Sequence, residues 1–243
     1  LWTTDKDGDP VLIRNFEDDD FEAIFIAQKI KEFKKKGISL TNIAILTRAS
    51  FQFKDIEDRF LKENIKYRVV GGLRFYERAE IKDAMAYFRI LINKSDNLSL
   101  ERILNTPKRG LGKALIKNLY DIVQKKNVSL YESLKLLILS GTSNSSQKKN
   151  IQNFISIIDR HSSALKSTKH FEVAGSLLDD VGYTEMLQKE KTPESEGRLE
   201  NLKKLITDLK NRNSLEEFIE EVSLLNDTLN DSDFNEKVSL MTL

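Results

Sequence analysis

The sequence predicts an α/β plus all-α fold: a partial parallel α/β domain interrupted by an inserted helical domain. Three observations carry this reading. Strand-like and helix-like runs alternate over residues 11–70. From residue 80 to 228 the apolar residues recur at helical spacing, with no convincing strand. Strand character then returns in the closing KVSLMTL. Alternating strands and helices are the pattern of a parallel sheet, and a sheet that stops and resumes around a helical block reads as a host with an insert.

The elements follow in order. VLIRNF (11–16) reads as a strand. Asp18 to Asp20 supply carboxylates for a helix N-terminus, where the macrodipole favours them. Ala23, Ile26, Ile30 and Phe33 then share one helical face, and Gly37 closes the helix after three lysines. IAILT (43–47) is a buried-type strand, and FQFKDIEDRFLKENI is a helix with Phe53, Ile56, Phe60 and Ile65 on one face. YRVV (67–70) is the next strand, and EIKDAMAYFRILIN (80–93) begins the helical block. Further helices are expected near 98–104, 112–126, 129–139, 147–167, 171–190, 194–211 and 214–228. The polar stretch 140–150 and the acidic stretch 226–236 read as loops.

Composition narrows the function classes. With 243 residues, 40% hydrophobic and 32% charged, the chain is long enough for a sizeable core under a highly charged surface. The net charge of +1 means that any nucleic-acid contact must come from local clustering. The absence of cysteine excludes disulfides, thiolate metal sites and a cysteine nucleophile, and suits a reducing cytoplasm. Two histidines, His161 and His170, argue against a histidine-rich metal site. No apolar run approaches the roughly 18 residues of a membrane span, and no signal-peptide pattern opens the chain. The chain starts at Leu1 and closes on an apolar run, which reads as a piece of a longer protein.

NTPKRGLGKAL (105–115) carries the strongest chemical signal. Gly110 and Gly112 permit positive φ and close backbone approach, and the helix that follows offers free N–H groups to a phosphate. Arg102, Lys108, Arg109, Lys113 and Lys117 gather here without an acid among them. Backbone amides and lysines in this arrangement hold a phosphate chain by position, not by base sequence. A Walker A loop does not fit, because Pro107 replaces its first glycine and Ala114 its magnesium-binding hydroxyl. The competing reading is an ordinary helix connection with a solvated basic face.

A second dense stretch is YRVVGGLRFYERAEIKD (67–83). Arg74, Phe75 and Tyr76 follow a strand end, where rings beside arginines suit stacked bases and phosphates. The alternative is that Phe75 and Tyr76 anchor the next helix in the core. Arg48 also follows a strand. GRLENLKKL (197–205) reads either as a further backbone contact or as a solvated helix face.

Taken together and in order, LWT…GDP, IAILTRA, YRVVGGLRFYERAEIKDAMAYFRILIN, LSLERILNTPKRGLG, SEGRLENLKKL and VSLMTL resemble the UvrD/PcrA/Rep family of superfamily 1 DNA helicases. The resemblance implies an ATP-driven motor moving 3′ to 5′ on single-stranded DNA, in DNA repair or replication. It implies two RecA-like motor domains, 1A and 2A, each with an inserted domain. Residues 1–89 would be the first part of 2A, 90–235 the inserted domain 2B, and 236–243 the return strand that starts motif V. It further implies duplex contacts by Thr106, Lys108, Arg109, Gly110, Gly112 and Lys113, and single-strand contacts by Arg74, Phe75, Tyr76 and Arg48. ATP and Mg²⁺ would serve the full-length protein, with none expected on this fragment, which lacks the nucleotide-site motifs. The expected partners are a duplex/single-strand DNA junction and DNA-repair proteins, with no membrane, for a monomeric fragment in the bacterial cytoplasm. After IAILT the usual R-[ST]-N-A-Q-S-R gives way to TRASFQFK, with Ser50 and Lys54 in place of the asparagine and second arginine. Two rivals are a free-standing helical DNA-binding module and a regulatory protein-interaction domain.

Overall fold

The computed structural model describes residues 8, 10–141, 144–228 and 236–243. The acidic loop expected over 226–236 lies largely outside them. The described chain is mostly helical, with one small parallel sheet.

Helix α1 (Asp19–Lys35) starts where the carboxylates predict it, with the Asp18 side chain accepting a hydrogen bond from the Phe21 N–H at 2.9 Å. Strand β1 (Ala44–Thr47), helix α2 (Phe53–Lys62) and strand β2 (Tyr67–Val70) follow. The helical block comprises α3 (Ala79–Ile92), α4 (Asn97–Ile103), α5 (Lys113–Lys126), α6 (Leu130–Ser140), α7 (Ser145–Ala164), α8 (His170–Asp180), α9 (Tyr183–Glu190), α10 (Pro193–Lys210) and α11 (Leu215–Thr228). Strand β3 (Val238–Thr242) then returns to the sheet and occupies its centre, in the order β1-β3-β2. Both pairings are parallel, with Ala44 opposite Ser239 and Tyr67 opposite Val238. The last strand in sequence thus lies between the first two.

Two expectations fail, and the loop expected over 140–150 is shorter than predicted, because Asn144 caps α7 and the helix begins at Ser145. Residues 11–16 form no strand, and Val11, Leu12 and Ile13 are 90%, 78% and 89% exposed. An apolar run becomes a strand only where a neighbour takes up its backbone groups, and no described strand flanks it. The helix expected over 171–190 is two, α8 and α9, because Gly182 sits at φ +78° and breaks the ladder.

Two apolar cores result among the described residues. One packs Ala23, Ala27 and Ile30 of α1 and Phe53, Ile56 and Phe60 of α2 against Tyr67, Val238 and Leu240 of the sheet. The other, larger core runs from Phe75 and α3 through the helical block to Val222. Between them lies a buried polar seam. The ammonium of Lys54, on α2, pairs with Asp58 and donates to Asp208 of α10 at 3.2 Å. The Tyr76 hydroxyl donates to the same Asp208 at 2.7 Å. Burial alone would push the Asp208 carboxyl up, but Lys54, Tyr76 and Arg212 outweigh it and hold it below the usual carboxylate range. Arg78 donates to Asn201 of α10 at 2.7 Å and to the Ser50 carbonyl at 2.9 Å, and Asn201 donates to Glu80 at 2.6 Å. Buried charges persist only when paired in this way, and the pairs fix how the helical block meets the sheet.

Candidate nucleic-acid interface

The 105–112 turn is built from within by side chains. The Asn105 Oδ1 accepts from the Arg109 and Leu111 N–H groups at 2.8 and 3.2 Å, which folds the backbone into a side-chain-closed loop. The Thr106–Pro107 peptide is cis. Gly110 takes φ +70°, a conformation that side-chain-bearing residues rarely adopt. Leu111 is fully buried and pins the turn to the helical core. Asn150, at the start of α7, donates its amide to the Arg109 carbonyl at 2.8 Å.

Arg109 is the centre of this arrangement. Its Nη1 donates to the carbonyls of Ile103, Leu104 and Pro107 at 2.9, 3.3 and 3.2 Å. Its Nη2 donates to the Tyr87 hydroxyl at 2.6 Å and to the Val181 carbonyl at 3.1 Å. The guanidinium also lies 5.1 Å from the centre of the Phe154 ring. The Tyr87 hydroxyl passes the network on to the Thr106 carbonyl at 2.7 Å. Burial pushes that phenol up to about 12 against the pull of Arg109, so it remains a donor at neutral pH.

The expected phosphate contact by Arg109 is therefore corrected. Its guanidinium is committed to the orphan carbonyls where α4 ends, and it faces into the protein. Lys108, by contrast, is exposed, as is Gly110. Gly112 caps α5 without any side-chain hydrogen bond; the Leu115 and Ile116 amides turn back to its carbonyl, and among the described residues no side chain accepts from those of Lys113 and Ala114. Lys113 is the first residue of α5, and Lys117 is exposed one turn on. Thr106 is half-buried and takes part through its carbonyl. The turn thus joins an outward basic edge to an inward arginine brace.

The second cluster separates. Phe75 is completely buried and Tyr76 nearly so, both inside the helical core, so neither ring offers a face on which a base could stack. Their seat is set by a T-shaped contact with each other at 5.1 Å and by the Lys54 ammonium beside both rings. Arg74 is half-buried, with its guanidinium 5.5 Å from the Tyr67 ring centre.

Arg48 is exposed, on a cleft of about 900 Å³ at the carboxyl ends of β1 and β3. Phe51, Gln188, Leu199, Lys203 and Leu243 also line the cleft. Glu196 and Glu200 line it too, and Lys203 pairs with Glu200 at 2.5 Å, so it is a mixed-charge cleft and not a basic trough.

The whole chain, residues 1–243, matches the family described as the UvrD-like helicase C-terminal domain. The chain belongs to that family. It is 36% identical over 246 residues to the probable DNA helicase II homolog of Rickettsia conorii and to the DNA helicase II of Rickettsia typhi. It is 32% identical over 255 residues to the ATP-dependent DNA helicase PcrA of Staphylococcus epidermidis. Each match covers all of this chain but 38%, 37% and 34% of those relatives, so the chain spans little more than a third of their length.

For this UvrD-like chain the residues that sequence reasoning missed are Tyr87, Asn105 and Asn150 in the brace and Phe51 in the cleft. Asn105 carries a local signal, since asparagine before a Thr-Pro turn can close it with its own side chain. Asn150 carries none, because its partner is 41 residues away. The 105–113 turn is not a Walker A loop. Gly112 and Lys113 join two helices, not a strand to a helix, and no described group of three His, Asp or Glu side chains is placed to hold a metal ion.

Proposed function

We propose that the chain is part of an ATP-dependent 3′–5′ DNA helicase, in which it holds duplex DNA ahead of a single-stranded track and gates unwinding. One observation carries this: the Lys108 edge and the uncapped start of α5 face outward while Arg109 braces the turn from inside. Lys108, Gly110, Gly112, Lys113 and the α5 amides then take duplex phosphates, with Thr106 and Arg109 shaping the turn. Arg48, beside Phe51 and Lys203, faces the single strand, and Arg74 flanks the strand β2 end. Residues 1–89 and 236–243 belong to a RecA-like domain 2A and residues 90–235 to domain 2B. The two separate cores support a division of this kind, and the packing of Phe75 to Leu91 with the helical block favours a junction nearer Gly71–Gly72. ATP and Mg²⁺ serve the complete motor through residues other than those described. The complete protein acts in the bacterial cytoplasm with repair proteins as partners.

The test is fluorescence anisotropy of the chain with a 3′-tailed duplex across a salt series. Binding should weaken steeply with salt, and Lys108→Ala should reduce the log–log slope by about 0.9, with Lys117→Ala adding up to a similar step. Affinity should depend little on duplex sequence. No binding at the lowest salt, or an unchanged slope in both variants, would remove the turn from the DNA interface.

A further inference from the structure

We propose that the groove between α3, α4 and α11 docks an acidic helical segment of a partner protein, anchored by an apolar side chain. Helix α3 sends Lys82, Met85, Ala86 and Arg89 to this groove, positions that form one stripe along a helix. Leu98 and Arg102 of α4 form one wall and Val222 of α11 the other, around about 380 Å³. The floor is apolar, and Leu98 is held out at the rim 81% exposed.

The charge is one-sided. Three cations line the groove and, among the described residues that line it, no carboxylate does. Arg89 donates to a neutral hydroxyl, that of Ser223 at 2.9 Å, and its Nε is buried without a partner. Lys82 is exposed, and no described carboxylate lies within ion-pair distance of it or of Arg89. Arg102 is paired with Asp83 at 2.6 Å, and that carboxylate also accepts from Tyr183 at 2.8 Å. Asp83 therefore offsets Arg102, and among the described lining residues the excess positive charge of the groove is that of Lys82 and Arg89.

Lys82 and Arg89 are seven residues apart, about 10 Å along a helix axis. An apposed helix carrying acids at the same spacing, with a leucine-sized residue between them, would meet both cations and cover Met85, Ala86 and Leu98. This is the helix-in-groove mode of recognition. A phosphodiester strand would use the cations but leave the apolar floor and Leu98 uncovered, so the observations favour a peptide.

The experiment titrates the chain into a fluorescein-labelled helical peptide bearing a leucine anchor between two glutamates seven residues apart. A scrambled peptide of the same composition and a single-stranded oligothymidylate run in parallel. Saturable binding of the designed peptide is expected, weakened about tenfold or more by Lys82→Glu and by Leu98→Asp. Both residues are exposed, so circular dichroism should show both variants folded. A peptide with lysine replacing the facing glutamate should recover binding to Lys82→Glu. Equal binding of the scrambled peptide, indifference to both substitutions, or no binding up to millimolar chain would overturn the proposal. If the two substitutions weaken only oligothymidylate binding, the groove is a nucleic-acid track instead.

Discussion

Arg109→Ala should lower the thermal midpoint of the chain by roughly 6–12 °C. The substitution removes the donor shared by four carbonyls and the Tyr87 hydroxyl. Hydrogen bonds to a charged group are worth about 1.5–3 kcal/mol each, but they are not additive, and the half-buried site lets water replace some of them. A net loss of about 3 kcal/mol follows, and each kcal/mol moves the midpoint of a chain this size by about 2–4 °C. Arg109→Lys should recover only part of the loss, because a single ammonium has three donors and cannot reproduce the planar fork. Circular dichroism melting measures the stability change. Lys108→Ala is the paired control: it should shift stability by less than about 0.5 kcal/mol, as exposed substitutions do, while lowering the salt slope. If Arg109→Ala instead left the midpoint within a degree of the parent and lowered only the salt slope, Arg109 would be a phosphate ligand and the brace would be wrong.

That contrast marks what the sequence made legible. The strands IAILT and YRVV, and the return strand VSLMTL, are readable because their apolar runs are short and sharply bounded, but the burial expected of IAILT is not met: β1 lies at the sheet edge with Leu46 52% exposed. The same kind of run at 11–16 misled, since a strand depends on a partner that local sequence does not reveal. NTPKRGLGKAL could be recognised as a basic turn before a helix, because glycine, proline and charge act locally there. The direction of each charge could not be read. Arg109 turns inward because Tyr87 and Val181, 22 and 72 residues away, meet it in space. For Phe75 and Tyr76 the spacing favours a core role over base stacking, and the structure shows what local sequence does not: the lysine and aspartate of the seam, on two distant helices, close over them.

The second large effect concerns the same seam and its pH dependence. Glu57 is buried on α2, and its Oε2 accepts from the Tyr67 hydroxyl at 3.1 Å and the Phe75 N–H at 3.2 Å. Its Oε1 has no hydrogen-bond partner, and the Arg78 guanidinium stops 4.0 Å short of it. Burial therefore outweighs the two hydrogen bonds and the Arg78 charge, and raises the carboxyl from 4.5 to about 7. A folded-state value above the unfolded one means that between pH 4.5 and 7 the unfolded chain releases this proton while the folded chain keeps it. Stability must then fall as pH rises through that window, by about 3 kcal/mol in total, and level off above it. Glu57→Gln removes the titration. Subtracting its urea unfolding free energy from that of the parent, pH by pH, isolates the group from every other carboxylate. The difference should be small near pH 4.5 and should grow to favour the variant by up to about 3 kcal/mol at pH 8. The opposite sign, with glutamine the less stable at pH 8, would mean that Arg78 closes onto an ionised Glu57. Arg78 also holds Asn201 of α10 and the Ser50 carbonyl, so that outcome would make the sheet-to-bundle junction an ion pair, where the geometry has the Arg78 guanidinium 4.0 Å from the carboxyl and turned to those two partners.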